Sequence, residues 1–552
     1  MSAAVATPSA PVLARPAFGS TLAGTGKLLR FMLRRDRMRI LWWTLGITFL
    51  YAGGLGEYLL LADDAQAREA RSVLISSPAM ISMSGPGYGL DNYQPGAAVA
   101  NEFTLWIVLT LAVMSILQIV RHTRSEEESS RSELVRAGIV GRHAPSVAAL
   151  LLVLIMNVVI ALASGATLAA QDFDVTQSFA MTFATALGAL VFGAVALVAA
   201  QAYEHGRGAI GISLAVLGAA FLLRALGDIQ EKHGSALSWL SPIAWVQQTR
   251  VFVDLRWWPL GLCVAAVVLL ILLAAFLGSR RDFASGLVAV RKGRADARPT
   301  LTGPLSLAWV QQRGALIWTG LGLGAMWLGS GTIIREVPNM LEAVESNPMY
   351  AALLGSGEDM VRTFLGIFGL YIGAGAAAFA IAMTLRVKGE EEAGLTELAL
   401  ATRVSRGRWL GSSLAIALLG TVLVQVSGAL ALWLGAASTG YDEIGFREYL
   451  ELGLVYLPAL AVVVGLAAAL YAWLPKATGI AWVLFGYIFL VGMFADLFDL
   501  PDWARGISPF WWVGSPMVEG VEASHMWGLA GVAVVLLVLA FIGFRRRDVP
   551  SA

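Results

Sequence analysis

Runs of about twenty apolar residues recur from one end of this chain to the other, and no other feature constrains the fold so tightly. A run of that length crosses the hydrocarbon core of a bilayer as one helix. Lipid offers no partner to a free backbone N–H or C=O, so a spanning segment must satisfy its own backbone, as a helix does. A membrane barrel needs short alternating segments, and these runs are long and continuous. Composition agrees. Of 552 residues, 57% are hydrophobic and 14% charged, where an average soluble domain has roughly 25% charged. The expected fold is an all-α integral membrane protein.

About twelve spans can be placed. Six lie at roughly 39–60, 99–120, 145–170, 179–201, 208–226 and 259–278. Six more lie at roughly 315–334, 364–385, 411–434, 450–471, 478–497 and 526–544. The breaks at AYEHGRG and AWLPKATG, between the fourth and fifth spans of each set, are the shortest. With the N-terminus inside, the inner segments hold about 29 lysines and arginines and the outer loops about 9, with Arg224 near the outer end of the fifth span. Positive charge gathers on the cytoplasmic side, so both termini are expected there. A net charge of +1 gives no reason to expect a nucleic-acid partner. The single cysteine, Cys263, sits in an apolar run and permits neither an intrachain disulfide nor a cysteine metal site. The opening MSAAVATPSAPVLARPAFGS is Ala/Pro-rich with basic residues after it, so no secretory signal is read and the first span is expected to stay.

The two sets of spans are copies. RSEEESSRSELVRAGIVGR at 124–142 returns as KGEEEAGLTELALATRVSR at 388–406. Glu126, Glu127, Glu128, Glu133, Leu134, Ala137, Val140 and Arg142 have identical residues 264 positions on, at Glu390, Glu391, Glu392, Glu397, Leu398, Ala401, Val404 and Arg406. LSPIAWV at 240–246 returns as ISPFWWV at 507–513, and RRD at 280–282 as RRD at 546–548. Such self-similarity marks a duplicated six-span unit. The expected division is 1–38 as cytoplasmic N-terminus and amphipathic helix, 39–290 as the first half, 291–314 as linker and second amphipathic helix, and 315–552 as the second half. KLLRFMLRRDR and LSLAWVQQRG both read as helices on the inner membrane surface. The first also reads as a simple positive-inside anchor. The outer loops 227–258 and 498–525 carry tryptophans and a Ser-Pro step, which suits a re-entrant or surface-lying element before the last span of each half.

Each acidic stretch reads as a short cytoplasmic helix between the second and third spans. Ser125 is a suitable N-cap, and Glu128 three residues on completes a capping box. Three glutamates in the first turn suit the positive end of the helix dipole. Glu127 and Arg131 form a favourable i,i+4 pair, and Gly138 is a stop. In the second copy Gly389 takes the cap position. A loop that only obeys the positive-inside rule needs no glutamates. A spacer needs no fixed register across two diverged halves. A surface that docks the same partner twice accounts for both features.

This layout resembles the type-two ATP-binding-cassette exporter permeases. The fused twelve-span form with EEE…EL…A…V.R in both copies is similar to the polyketide-antibiotic exporter permeases of actinobacteria, the tetronasin-transport group. The resemblance covers essentially the whole chain, and the acidic motif is its most specific part. It implies that residues 125–137 and 389–401 are coupling helices seated on an ATPase subunit. Glu126, Glu127, Glu128, Arg131, Glu133, Leu134, Arg142, Glu390, Glu391, Glu392, Glu397, Leu398 and Arg406 would carry that contact. It also implies a bacterial inner-membrane location, two copies of a separate ATPase subunit that bind ATP and Mg, and a hydrophobic small-molecule substrate.

No Walker A text occurs here. The nearest, Gly26-Lys27, is followed by Leu28 and has Thr21 where the first glycine belongs, so ATP hydrolysis is assigned to another polypeptide. His122, His143, His205, His233 and His525 are scattered and make no ligand pair. Glu57, Glu102 and Arg224 fall near the outer ends of spans, either as one charged outer gate or as three side chains reaching the headgroups alone. Gln118, Asn157 and Gln425 read as interhelical hydrogen-bond partners. An ion-driven twelve-span secondary transporter is the alternative function. It would need titratable residues deep in the spans, and those positions hold almost none.

Overall fold

Helix is the sole regular structure among the described residues of the computed structural model, which are 21–60, 65–76, 78–128, 140–281, 286–288, 295–337, 357–494, 500–514, 516–518 and 520–548. Contacts divide the chain into two compact units, Met1–Gly293 and Arg294–Ala552.

Unit 1 begins with α1 (Thr25–Leu60), followed by the short α2 (Ala65–Ile75) and α3 (Pro78–Ser84). Then come α4 (Pro95–His122), α5 (Arg124–Glu128), α6 (Ala144–Ala169), α7 (Val175–Ala202), α8 (Gly206–Gln230), α9 (Pro242–Gln247) and α10 (Trp258–Arg280). Unit 2 holds α11 (Pro304–Gly331), α12 (Gly357–Thr384), α13 (Arg386–Glu392), α14 (Leu395–Leu400) and α15 (Arg406–Ser438). It continues with α16 (Phe446–Val455), α17 (Leu457–Trp473), α18 (Ile480–Phe494), α19 (Asp502–Arg505) and α20 (Ala523–Arg546).

Ten helical stretches among the described residues are long and apolar enough to cross a membrane. They cover every expected span except the first of each half. Those two lie in α1 and α11, which are 36 and 28 residues long. Glycine, tryptophan and threonine dilute the aliphatic content of both, as in LWWTLGI and LIWTGLGL. The expected surface helices are not separate elements. KLLRFMLRRDR and LSLAWVQQRG are the first turns of α1 and α11, with no helix end before the apolar run. Both short breaks are real: three residues separate the end of α7 at Ala202 from Gly206, which begins α8, and Pro475–Ala477 forms a 3-10 turn between α17 and α18. The fourth span of unit 2 is interrupted at Tyr456, where Pro458 enters the first turn of α17. The chain is an all-α, multi-pass integral membrane protein.

In unit 1 the hub is α7. Its most apolar window is 78% buried, against 17% for α10, whose Leu269 and Leu272 face outward for lipid to cover. In unit 2, α11 and α15 approach so closely that a Cβ on Gly331 or Gly435 would sit 2.1 Å from a backbone carbonyl of the other helix. Small residues permit that approach, and packing rather than water expulsion holds helices together in lipid. Asn157 donates to Ser115 Oγ of α4 at 3.1 Å, the interhelical bond expected of it. Gln425 does not follow suit. Both atoms of its amide are buried without a partner among the described residues.

Candidate functional site

The acidic stretch does not begin a new helix. It prolongs the second span of each unit. In unit 1 only Thr123 separates α4 from α5, and Glu127 N–H still donates to Thr123 O at 3.2 Å. Ser125 is therefore an interior residue, not an N-cap. Gly389 likewise lies inside α13, and the break comes later, at Gly394, whose φ of 71° is left-handed. Extending an existing helix costs far less than nucleating another, so no capping box is required. The region expected as one helix over 389–401 is two short pieces, α13 and α14. Arg131, Glu133 and Leu134 lie outside the described residues.

In unit 1 all three glutamates bond partners on other elements, Glu128 while remaining exposed. Glu126 accepts from Arg35 of α1 and lies 3.6 Å from His122 Nδ1. The other ring nitrogen of His122 contacts Asp36, which also faces Arg121 at 3.2 Å and Arg39 at 3.5 Å. Glu127 accepts from Arg124 at 2.6 Å and from Arg281, just beyond α10, at 2.6 and 2.9 Å. Glu128 accepts from the Gly206 N–H at the start of α8, at 2.8 Å. Arg124, almost fully buried, also donates to Glu204 O at 2.6 Å. These bonds gather the basic ends of α1, α4, α8 and α10.

The third-span side joins the same knot. Arg142 donates to Arg281 O at 2.6 Å. Just before it, Gly141 N–H donates to Ala23 O at 2.9 Å, and a Cβ on Gly141 would meet Thr21 O at 2.1 Å. Only glycine lets the two backbones meet there.

Unit 2 repeats the core of this arrangement. Glu391 accepts from Arg547 and from Tyr471 Oη at 2.5 Å. Arg406 donates to Arg547 O at 2.5 Å and to Arg545 O at 3.2 Å. The correspondence is residue for residue. The middle glutamate of the motif holds the second arginine of the RRD repeat, and the motif's last arginine holds that arginine's carbonyl. Glu390 pairs with Arg386 at 3.3 Å, and Arg386 stands where unit 1 has His122. Glu392, 3.7 Å from Lys388, keeps 67% of its side chain exposed, and Leu398 is 69% exposed. Glu397 is exposed as well.

Sequence reading thus found the motif and missed its partners: Arg35, Asp36, His122, Arg124 and Arg281 in unit 1, with Tyr471 and Arg547 in unit 2. One signal was available. RRD recurs with nearly the same displacement as EEE, and a duplicated acid beside a duplicated base invites pairing.

The opposite end of unit 1 is built differently. Arg224 is fully buried on α8 and donates to Ile81 O at 3.1 Å and Ser82 O at 2.6 Å, with Asp228 at 3.5 Å. Asp228 in turn accepts from Ser238 Oγ at 2.6 Å. Glu102 takes a bidentate pair from Arg71, at 2.9 and 2.8 Å. Among the described residues Arg224 makes no ion pair with Glu102. The Glu57 side chain lies outside the described residues. Before the last span, Pro242–Gln247 forms the buried short helix α9, capped by Ser241, and Trp511–Val513 forms a 3-10 turn in unit 2. No cluster of three or more metal-ligating side chains occurs among the described residues.

Two comparisons bear on this architecture. The model of the family "Multidrug efflux system permease Rv1217c, C-terminal domain" matches residues 301–545. Over 541 residues, covering 97% of each chain, this chain is 35% identical to the multidrug efflux system permease protein Rv1217c of Mycobacterium tuberculosis (strain ATCC 25618 / H37Rv). Near-complete coverage carries the match across both units. The chain therefore belongs to the family of multidrug efflux system permeases.

Proposed function

We propose that this chain is the transmembrane subunit of an ATP-binding-cassette exporter of lipophilic, drug-like compounds. Separate ATPase subunits would seat on its two acidic segments. One observation carries the reading: the same latch is built twice, from Glu127, Arg142 and Arg281 and again from Glu391, Arg406 and Arg547. Each latch ties the prolonged second span to the start of the third and the end of the sixth. A push on an acidic segment would then reach three spans at once and bias their equilibrium between two arrangements.

Two acidic segments imply two ATPase subunits, which would bind ATP and Mg themselves. The printed description of the mycobacterial relative supports a multidrug substrate class. The likeness to tetronasin-type permeases narrows this to antibiotic-like molecules. The lysine and arginine asymmetry supports a bacterial cell-membrane protein with both termini and both latches in the cytoplasm.

A single thiol tests the docking. Cys263 is buried, so Thr402→Cys offers an accessible sulfur at an exposed position just past α14. With the ATPase subunit co-expressed, a bifunctional maleimide should join the two polypeptides, and permease should raise ATP turnover in proteoliposomes. Absence of both, with efflux that instead fails when the proton gradient is collapsed, would replace this reading with an ion-driven transporter.

A further inference from the structure

At the basic end of unit 1 a cavity of about 490 Å³ opens among α1, α4, α6, α7 and α10. Leu150, Leu197, Ile271 and Ala274 line it, and Arg142 and His143 stand where it meets the latch. Its size suits a small-molecule ligand, for which pockets run from roughly 300 to 1,000 Å³.

The repeat explains why the space exists. The displacement of the RRD repeat sets Gly278 against Phe544, and that of the acidic motif sets Pro145 against Trp409 and His143 against Gly407. In unit 2, Phe544 stacks on Trp409 at 5.5 Å and on Tyr471 at 5.8 Å, all three buried. Unit 1 has a glycine and a proline at the places of two of those rings, and the volume they fill in unit 2 is open.

The charge at the mouth is unbalanced. Glu126 is held by Arg35, and Glu127 by Arg124 and Arg281, while Asp36 faces Arg39 and Arg121. Arg142 gives one N–H to a carbonyl and has no carboxylate partner among the described residues. The His143 ring makes no hydrogen bond among them either. Burial, with the Arg142 charge beside it, lowers the His143 pKa from its ordinary value, so at neutral pH it is a neutral ring able to donate one N–H.

We infer that this cavity binds an amphiphile with one anionic head and a long apolar tail, the head between Arg142 and His143 and the tail among Leu150, Leu197, Ile271 and Ala274. A carboxylate suits a guanidinium with free N–H groups, and a tail there leaves water for an apolar wall. Binding needs no ATPase, so it stands or falls apart from the exporter reading.

The test is photolabelling of the purified full chain in nanodiscs, read by peptide mass spectrometry. Three probes carry the same mid-chain diazirine on one long saturated tail: the fatty acid, the matching alcohol, and a phosphatidylglycerol. Saturable labelling near Leu150 and Ile271 is expected, reduced at least about fivefold (about 1 kcal/mol) in Gly278→Phe, which imports the ring unit 2 already accommodates. An unchanged melting temperature shows that this variant is folded. Arg142→Gln should erase the preference for acid over alcohol, and Arg142→Lys should retain it. Labelling by the acid identifies a free amphiphile and labelling by the phospholipid a membrane lipid, and either supports the site. Equal labelling of wild type and Gly278→Phe, label confined to outward residues such as Leu269 and Leu272, or no preference for an anionic head, would overturn it.

Discussion

Glu127 accepts two hydrogen bonds from one guanidinium nitrogen of Arg281, at 2.6 and 2.9 Å, across 154 residues of chain. Glu391 and Arg547 repeat the pairing across 156. The two halves have diverged in most of their spans, yet both keep this acid–base pair in register. Its position, between the end of the second span and the end of the sixth, makes it a tether within one unit. Part of the duplicated motif is therefore explained by internal bonding, and the rest, on the exposed side, is what a partner could touch.

If the tether stabilises each unit, the two members of a pair must be energetically coupled. Glu127 is 16% exposed and Arg281 8%, so solvent screens the pair little. Hydrogen bonds to charged groups contribute about 1.5–3 kcal/mol. A double-mutant cycle of Glu127→Ala and Arg281→Ala, followed by unfolding in mixed micelles, should give a coupling of about 1–3 kcal/mol. Glu391 and Arg547 should behave alike. Strictly additive losses would mean that the contact contributes nothing.

The outward residues should show the opposite profile. Glu392→Ala and Leu398→Ala remove side chains that are mostly in solvent, so stability should stay within about 0.5 kcal/mol. Affinity for the ATPase subunit should fall about tenfold for Leu398→Ala, the loss expected of an anchor that contributes more than 1 kcal/mol. Measured by surface capture of nanodisc-held permease, an unchanged affinity in both variants would remove this face from the docking surface.

How much of this was legible beforehand depends on the range of the interaction. The spans were readable because lipid demands length and apolarity from each segment by itself. The motif was readable because duplication printed it twice. Helix starts at Ser125 and Gly389 were misread because capping rules describe a helix that must nucleate, whereas α5 and α13 inherit theirs. The partners of Glu127 and Glu391 lie more than 150 residues away, and no local periodicity reports such a distance. Arg224 was visible as a costly charge, but its acceptors are backbone carbonyls at Ile81 and Ser82, which carry no sequence signal.

Arg224 and Asp228 supply a third expectation. Both are buried, at 0% and 3% exposure, and together they clasp α3 and Ser238. Removing one partner of a buried pair leaves the other charge uncompensated and costs about 3–5 kcal/mol. Asp228→Ala should fall at the lower end, because Arg224 keeps two carbonyl acceptors. The loss should appear in the melting temperature and as faster proteolysis of the chain between α3 and α4. A melting temperature equal to that of wild type would show that the clasp is dispensable.

The last expectation concerns pH at the same end of unit 1, outside the spans. The His233 ring stacks on Tyr88 at 5.2 Å and 10°, and its Nδ1 is buried without a partner among the described residues. Arg250 lies over the Tyr88 ring at 4.7 Å. Burial first, and then the charges of Arg250, Lys232 and Arg256, lower the His233 pKa from its ordinary value, with Asp91 opposing weakly. The folded protein thus binds the proton less readily than the unfolded chain does. Linkage fixes the sign: the contribution is full above an unfolded pKa of about 6.5 and is lost as pH falls toward the depressed folded value. Stability should therefore decline on acidification below about pH 6.5. His233→Phe keeps an aromatic stack without a titrating group, so its melting temperature should decline less over the same interval. Superimposable pH profiles for the two proteins would mean that protonation of this ring meets no resistance from Arg250 and Tyr88, and the stack would then have no part in setting stability.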